Sequence, residues 1–321
     1  MLVPVLLFLL GLVLLIKGGD WFVDGATGIA HRFRVPELII GATVVSIGTT
    51  LPEVMVSATS AVGGHGEIAY GNAIGSIICN TSLIAAITIA IKPAPVDNKA
   101  LKMPVAFFFL SAAIYCAVAY FTGFFSHAIG FGLLAVFVIY MILTIRQGFK
   151  NPDASKKEEE EGKSTSLLKE IVFLVLGAAL IAVGADLLVD NGTLIAKELG
   201  VPESVIALTF VALGTSLPEL VTAITSLVKG HGALSLGNII GANIFNLVLV
   251  SGVSVALAPF EVPQSSTLFG HNASLVLDIP VMLAVMALLT LPALIRKKLS
   301  RVQGILLLGI YAAFCVVQFT M

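Results

Sequence analysis

Two acidic side chains sit where their neighbours are almost all apolar. Glu53 closes GTTLPE (48–53) inside GATVVSIGTTLPEVMVSATSAV, and Glu219 closes GTSLPE (214–219) inside ALTFVALGTSLPELVTAITSLV. A carboxylate in the bilayer interior costs ~2.5–3.5 kcal/mol on insertion scales and is a functional hypothesis by default. Each follows a proline, which carries no amide hydrogen and biases the residue before it away from the helix. Two broken helices are therefore expected. Carbonyls around Ser46 to Thr50 and Ala212 to Ser216 would lose their helical partners, and in hydrocarbon they must find others. Carbonyl, hydroxyl and carboxylate oxygens together suit hard ions such as Ca²⁺ and Na⁺. The structural alternative is a protonated glutamate pair, each capping the other's motif.

A second polar set follows each motif: GNAIGSIICN (71–80) and GNIIGANIFN (237–246). Asn72, Ser76 and Asn80 stand at i, i+4 and i+8, on one helix face. The second copy puts Asn238, Ala242 and Asn246 there, with Asn243 beside them. Asn80 and Asn246, the deeper amides, read as ion contacts. Asn72 and Asn238 read equally well as helix-to-helix amide bonds. Gly71 with Gly75, and Gly237 with Gly241, have the spacing of close helix approach. Two ionised glutamates neutralise one Ca²⁺ or two Na⁺. Loaded, such a site is nearly neutral; unloaded, it holds two repelling buried charges that oppose movement through the membrane. The implied behaviour is obligatory exchange, in which protons are also admissible cargo because each carboxylate can take one.

The elements that position these residues are long apolar helices. Of 321 residues 58% are hydrophobic and 12% charged, about half the usual charged share. Ten stretches approach the ~20 apolar residues that a span needs: about 3–30, 37–62, 70–91, 103–122, 127–145, 168–194, 204–228, 234–257, 272–294 and 303–320. The fold class is an all-α polytopic membrane protein; the run lengths exclude a β-barrel. The first stretch has no basic leader and no obvious cleavage site, so it reads as a retained span. Cys79, Cys116 and Cys315 all lie in apolar stretches and read as small apolar side chains.

The chain repeats itself. Glu53 and Glu219 are 166 residues apart, as are Asp20 and Asp186, Asp24 and Asp190, Gly71 and Gly237, and Asn80 and Asn246. Ten helices as two five-helix repeats, 1–149 and 168–321, are expected, and an odd count inverts the second repeat. A charged linker, 150–167, joins them. Inverted repeats meeting at broken helices describe a secondary transporter with its site near the midplane. Sixteen of the 18 Lys and Arg residues, all but Lys17 and Lys197, fall in loops on one side. That side should be cytoplasmic, with both termini outside. Asp20, Asp24, Asp186 and Asp190 read as ion-pair or packing residues in the outer portion of a tilted helix, or at the cytoplasmic end in the inverted half, with Lys17 as a partner for Asp20. His65 and His231 read as turn residues.

The paired GTTLPE…GNAIGSIICN and GTSLPE…GNIIGANIFN resemble the two α-repeats of the sodium/calcium exchangers, in the cation/calcium exchanger superfamily, of bacterial or archaeal type. The resemblance implies Glu53 and Glu219 as central cation ligands, with carbonyls and hydroxyls from Thr49, Thr50, Thr215 and Ser216. Asn80 and Asn246 would complete that cluster, and Ser76 would join an outer Na⁺ position. Ser46 and Ala212 are counted with the metal ligands through their freed carbonyls. It implies an antiporter of Na⁺ and Ca²⁺ in the plasma membrane of a prokaryote, a monomer in the lipid bilayer, with no cofactor and no nucleic acid partner. H⁺ coupling and K⁺ dependence stay open as alternatives. Ala242, where the first copy has Ser76, removes one hydroxyl. An enzyme is not expected: no His or Cys stands beside either glutamate in its motif to assist hydrolysis.

Overall fold

The two GHG turns fold alike. Gly64 and Gly230 adopt left-handed backbone (φ 83° and 87°), which glycine enters without penalty. His65 N donates to Ser60 O at 2.8 Å, and His231 N to Ser226 O at 2.7 Å. Gly64 N bonds Ala61 O, and Gly230 N bonds Leu227 O, at 3.0 and 3.2 Å. These are helix-ending loops of Schellman type, reproduced at an offset of 166 residues. The sequence repeat is thus also a repeat of backbone conformation here.

The computed structural model describes residues 2–93, 95–150, 166–199, 214–264 and 267–320. Among them the helices are α1 (Leu2–Arg32), α2 (Glu37–Val62), α3 (Gly66–Ile91), α4 (Asn98–Thr122), α5 (His127–Lys150) and α6 (Leu167–Glu198), then α7 (Leu217–Val228), α8 (Gly232–Leu257), α9 (Ser274–Arg296) and α10 (Arg301–Thr320). Nine of these are long and apolar enough to cross a membrane. The shorter α7 is the end of the expected span 204–228, whose earlier part lies outside the described residues, as does most of the linker 150–167. Ser166 caps α6 by accepting from Lys169 N at 3.3 Å.

The helices form shells around α8 and α3. In these two, 83% and 72% of the apolar stretch is buried, against 22% in α1, α5 and α6. The all-α reading holds apart from two small ladders in the connections. Phe124–Phe125 (β1) pairs antiparallel with Phe260–Glu261 (β2), and Thr267–Leu268 (β3) with His271–Asn272 (β4). The Phe125 and Phe260 rings, 5.8 Å apart, hold the first ladder.

α1 and α6 run antiparallel and meet through glycine. A methyl group at Gly11 would lie 2.8 Å from Gly184 O, and one at Gly184 would lie 2.8 Å from Gly11 O. One at Gly18 would lie 2.8 Å from Ile181 N and 2.9 Å from Gly177 O. With no side chain between them, the two backbones come into contact, the usual device for packing helices where no hydrophobic effect separates protein from lipid. Arg32 fastens one end of the pair, donating from Nε to Glu170 Oε2 at 2.7 Å and from Nη2 to Oε1 at 2.9 Å.

The acidic residues of α1 form the expected ion pair, with a partner other than Lys17. Asp24 Oδ1 meets Lys229 Nζ at 2.7 Å, and Asp20 Oδ1 meets it at 3.5 Å. Lys229 follows α7, at the end of the molecule shared with Arg32 and Glu170. It stands 205 residues from Asp24 and 209 from Asp20 along the chain. His231 is more than a turn residue: its Nδ1 lies 3.1 Å from Glu37 Oε1 at the start of α2.

Replacing Gly18 with leucine should push α1 off α6. Overpacking of this kind costs about 1–3 kcal/mol. The expected outcome is a lower thermal midpoint for the detergent-solubilised protein, read by tryptophan fluorescence, with Gly309→Leu as the control because open space surrounds Gly309.

Candidate functional site

α2 carries the first acidic motif. It is not broken at Pro52, which lies inside a continuous helical run, Ser46–Val62. The helix departs from α geometry earlier, at Gly41–Val45, where a wider π-helical turn intervenes. The Ser46 hydroxyl donates back to Gly41 O at 2.8 Å and satisfies a carbonyl of that turn. Pro52 still leaves the carbonyl four residues before it without a helical donor. The second motif does break: Gly214, Thr215 and Ser216 form a turn, α7 starts at Leu217, and Pro218 occupies its first turn, where no donor is lost. Identical local signals therefore give a widened helix in one copy and a helix start in the other. Both prolines nevertheless line one small cavity, with Gly48, Thr49 and Phe22, Ala178, Ile181 and Ala182 of the α1–α6 pair.

The second motifs widen as well. π-helical turns begin at Asn80 in α3 (Asn80–Ala85) and at Asn246 in α8 (Asn246–Val250). Such turns concentrate at functional sites. The turn at Asn80 packs against α7, which bears Glu219, and the turn at Asn246 packs against α2, which bears Glu53. Ser251 donates to Asn246 O at 3.0 Å, repeating the device of Ser46.

These elements converge on a set of buried oxygens. Glu53, Thr50, Glu219, Asn80 and Asn246 are fully buried, and Thr49, Ser216 and Ser76 almost so; Thr215 is half-buried. Glu53 and Glu219 lie within Coulombic range of one another, and Thr50 Oγ1 reaches Glu219 Oε1 at 3.5 Å. Several buried atoms have no hydrogen-bond partner: both carboxylate oxygens of Glu53, Oε2 of Glu219, Ser216 Oγ, both side-chain polar atoms of Asn80, and Asn246 Oδ1. Asn246 spends its amide hydrogen on Ala242 O at 3.1 Å, which leaves its oxygen free. Buried polar atoms without partners are rare, and each demands a reason. Here they are mostly oxygens, come from equivalent places in both copies, and offer the donor set of a hard cation. Ala212 lies outside the described residues.

Around this set the motifs interlock. Thr49 Oγ1 donates to Asn238 Oδ1 at 3.2 Å, and Thr215 Oγ1 donates to Asn72 Oδ1 at 3.4 Å. Each motif threonine thus bonds the amide of the other copy. Ser46 adds bonds to Asn238 O and Oδ1, at 3.0 and 3.2 Å. Asn72 donates to Ser57 Oγ at 2.8 Å and Glu53 O at 3.3 Å. Of the two readings open for Asn72 and Asn238, these bonds are those of helix association.

The spacing of close approach is realised in the second copy. A methyl at Gly237 would meet the Leu38 carbonyl, and one at Gly241 would meet Ala42 and the Ser46 hydroxyl. The positions that the repeat would set against Gly71 and Gly75, 204, 208 and 212, lie outside the described residues.

Sequence reasoning passed over Ser57, Thr222 and Ser226, all fully buried. Thr222 and Ser226 follow Glu219 on one face of α7, and their hydroxyls have no partner. Helical spacing from the glutamates was the available signal. The repeat hid it, since Ser57 and Thr222 align with Ala223 and Val56.

Comparison with known proteins agrees with this geometry. The sequence model described as sodium/calcium exchanger protein matches residues 3–146 and 169–320. An uncharacterized membrane protein of Methanocaldococcus jannaschii is 38% identical, over 95% of this chain and 94% of that protein. Sodium/calcium exchanger MaX1 of Methanosarcina acetivorans is 31% identical over 98% of each chain. The solved structure of the sodium-calcium exchanger NCX_Mj, soaked with zero Na⁺ and Ca²⁺, superposes with a TM-score of 0.84 at 33% identity, covering 99% of both chains. With the matching model spanning both copies of the motif pair, the chain belongs to the sodium/calcium exchanger family.

Proposed function

We propose that this protein is a secondary antiporter that exchanges Na⁺ for Ca²⁺ at a midplane pocket centred on Glu53 and Glu219. One observation carries the reading: the unpartnered buried oxygens of Glu53, Glu219, Ser216, Asn80 and Asn246. Thr49, Thr50, Thr215, Ser46 and Ser76 supply further hydroxyls or carbonyls, and Ala212 a carbonyl. The family membership and the printed name of MaX1 point to the same cargo.

The two glutamates provide two formal charges, matched by one Ca²⁺ or two Na⁺. Unloaded, they repel at close range in a poorly solvated pocket, which opposes passage between access states. Movement is then coupled to occupancy, as exchange requires. The units in this reading are two inverted five-helix repeats, 1–149 and 168–321, joined by a cytoplasmic linker at 150–167. Both termini face outward across a prokaryotic plasma membrane, and the working unit is a monomer.

The assay is ⁴⁵Ca²⁺ uptake into proteoliposomes loaded with Na⁺ and diluted into Na⁺-free medium. Uptake should require the Na⁺ gradient and vanish in Glu53→Gln and in Glu219→Gln, with both variants inserted normally. Uptake driven by a pH gradient without Na⁺ would move the protein to proton coupling, and uptake requiring K⁺ would add that ion. Intact uptake in either glutamine variant would remove the central assignment.

A further inference from the structure

A second set of oxygens lies away from the Glu53–Glu219 pocket. The starts of α3 and α9 and the end of α10 enclose a cavity of about 250 Å³, lined by Glu67, Tyr70, Gly71, Ser274, Asp278 and Gln318 together with apolar neighbours. α2 starts beside Arg32 and His231, so the α2–α3 turn and this cavity lie at the opposite end of the molecule.

Three features separate it from an ordinary crevice. First, Asp278 is a carboxylate inside a span that is otherwise apolar up to Arg296. It stands in the π-helical turn Ser274–Asp278, with no cation beside it among the described residues. Gln318 Nε2 donates to Asp278 Oδ1 at 2.7 Å and fixes its orientation. Second, Tyr70 is 1% exposed and its hydroxyl has no hydrogen-bond partner. The tyrosine lines this same cavity, and Ser274 is a near neighbour of both Tyr70 and Asp278. Third, Glu67 brings a second carboxylate to the rim, where Oε1 accepts from Gln264 N at 3.4 Å. Two carboxylates, two hydroxyls and an amide oxygen around a space large enough for water form a donor set for a hard, partly hydrated cation. A tie between α9 and α10 would explain the Asp278–Gln318 bond. It would not explain the unpartnered buried hydroxyl or the space.

We infer that this cavity is a separate divalent-cation site, with Asp278 and Glu67 as charged ligands, Tyr70 and Ser274 as neutral ones, and Gln318 as a positioning residue. Ca²⁺ is the fitting occupant, because two carboxylates neutralise it. Gly71 lines the cavity and precedes Asn72, which bonds Glu53 O. A cation held there is next to the helix that borders the central pocket. The site does not depend on the exchange reading, since its binding is measurable with the central pair disabled.

The test uses the full chain in detergent with Glu53→Gln and Glu219→Gln combined, titrated with Tb³⁺. Tyr70 is the antenna: excitation of tyrosine should give terbium emission from one site per chain, competed by Ca²⁺ and not by equal Na⁺. Asp278→Asn should abolish the emission, and Gln318→Leu should weaken Tb³⁺ affinity about tenfold. Tyr70→Phe should remove the emission while ⁴⁵Ca²⁺ binding persists in weakened form. Gel-filtration profiles matching the parent establish that each variant is folded. Asp278→Asn in the otherwise native chain should retain Na⁺-driven uptake, which keeps failure here distinct from failure of the exchange assignment. Absent emission in the parent, or emission unchanged by Asp278→Asn, would overturn the site.

Discussion

Two carboxylates sharing one dry pocket set the terms for everything around them. Water would solvate Glu53 and Glu219 cheaply, but the protein gives them none of its surface. An ionised carboxylate buried without a counter-charge costs several kcal/mol, and a like charge nearby raises that cost. Among the described residues no basic side chain relieves this: Lys229, Arg32 and His231 serve acids at one end of the molecule. In the proposed exchange the relief comes from a mobile cation, which fits the many neighbouring oxygen donors.

Holding those oxygens apart without letting them satisfy one another is a positional task. The widened turns perform it. Each π-helical turn rotates the side chain at its start relative to an α-helix, and Asn80 and Asn246 occupy those starts. The serine that ends two of the turns returns its hydroxyl to the turn's first carbonyl, so the distortion leaves no backbone debt. The crossed threonine–amide bonds then bind the first copy to the second at the level of the pocket. Neither half completes the arrangement alone.

Most of the frame was legible because each feature had a local cause. Glycine, proline and charge ended the apolar runs where the helices end, and the offset of 166 residues marked both glutamates. What escaped was decided by contacts distant in sequence. Pro52 and Pro218 carry the same local signal, yet one sits within a helix and the other at a helix start. Asp24 finds its lysine 205 residues away. Asp278 has no counterpart in the repeat alignment, so a search guided by self-similarity passes it by.

The lengths of α1 and α6 carry a further consequence. At ~1.5 Å per residue, helices of 31 and 32 residues extend roughly 46–48 Å, against a hydrocarbon layer of ~30 Å. They must lean, or carry their polar C-terminal ends into the headgroups. Joined backbone to backbone along glycine, they lean as one body. A thicker or thinner bilayer acts on that inclination, and the pair delivers it to the cavity where Phe22 and Ala178 meet Pro52 and Pro218. Hydrophobic thickness therefore acts on a helix pair that lines the same small cavity as both motif prolines.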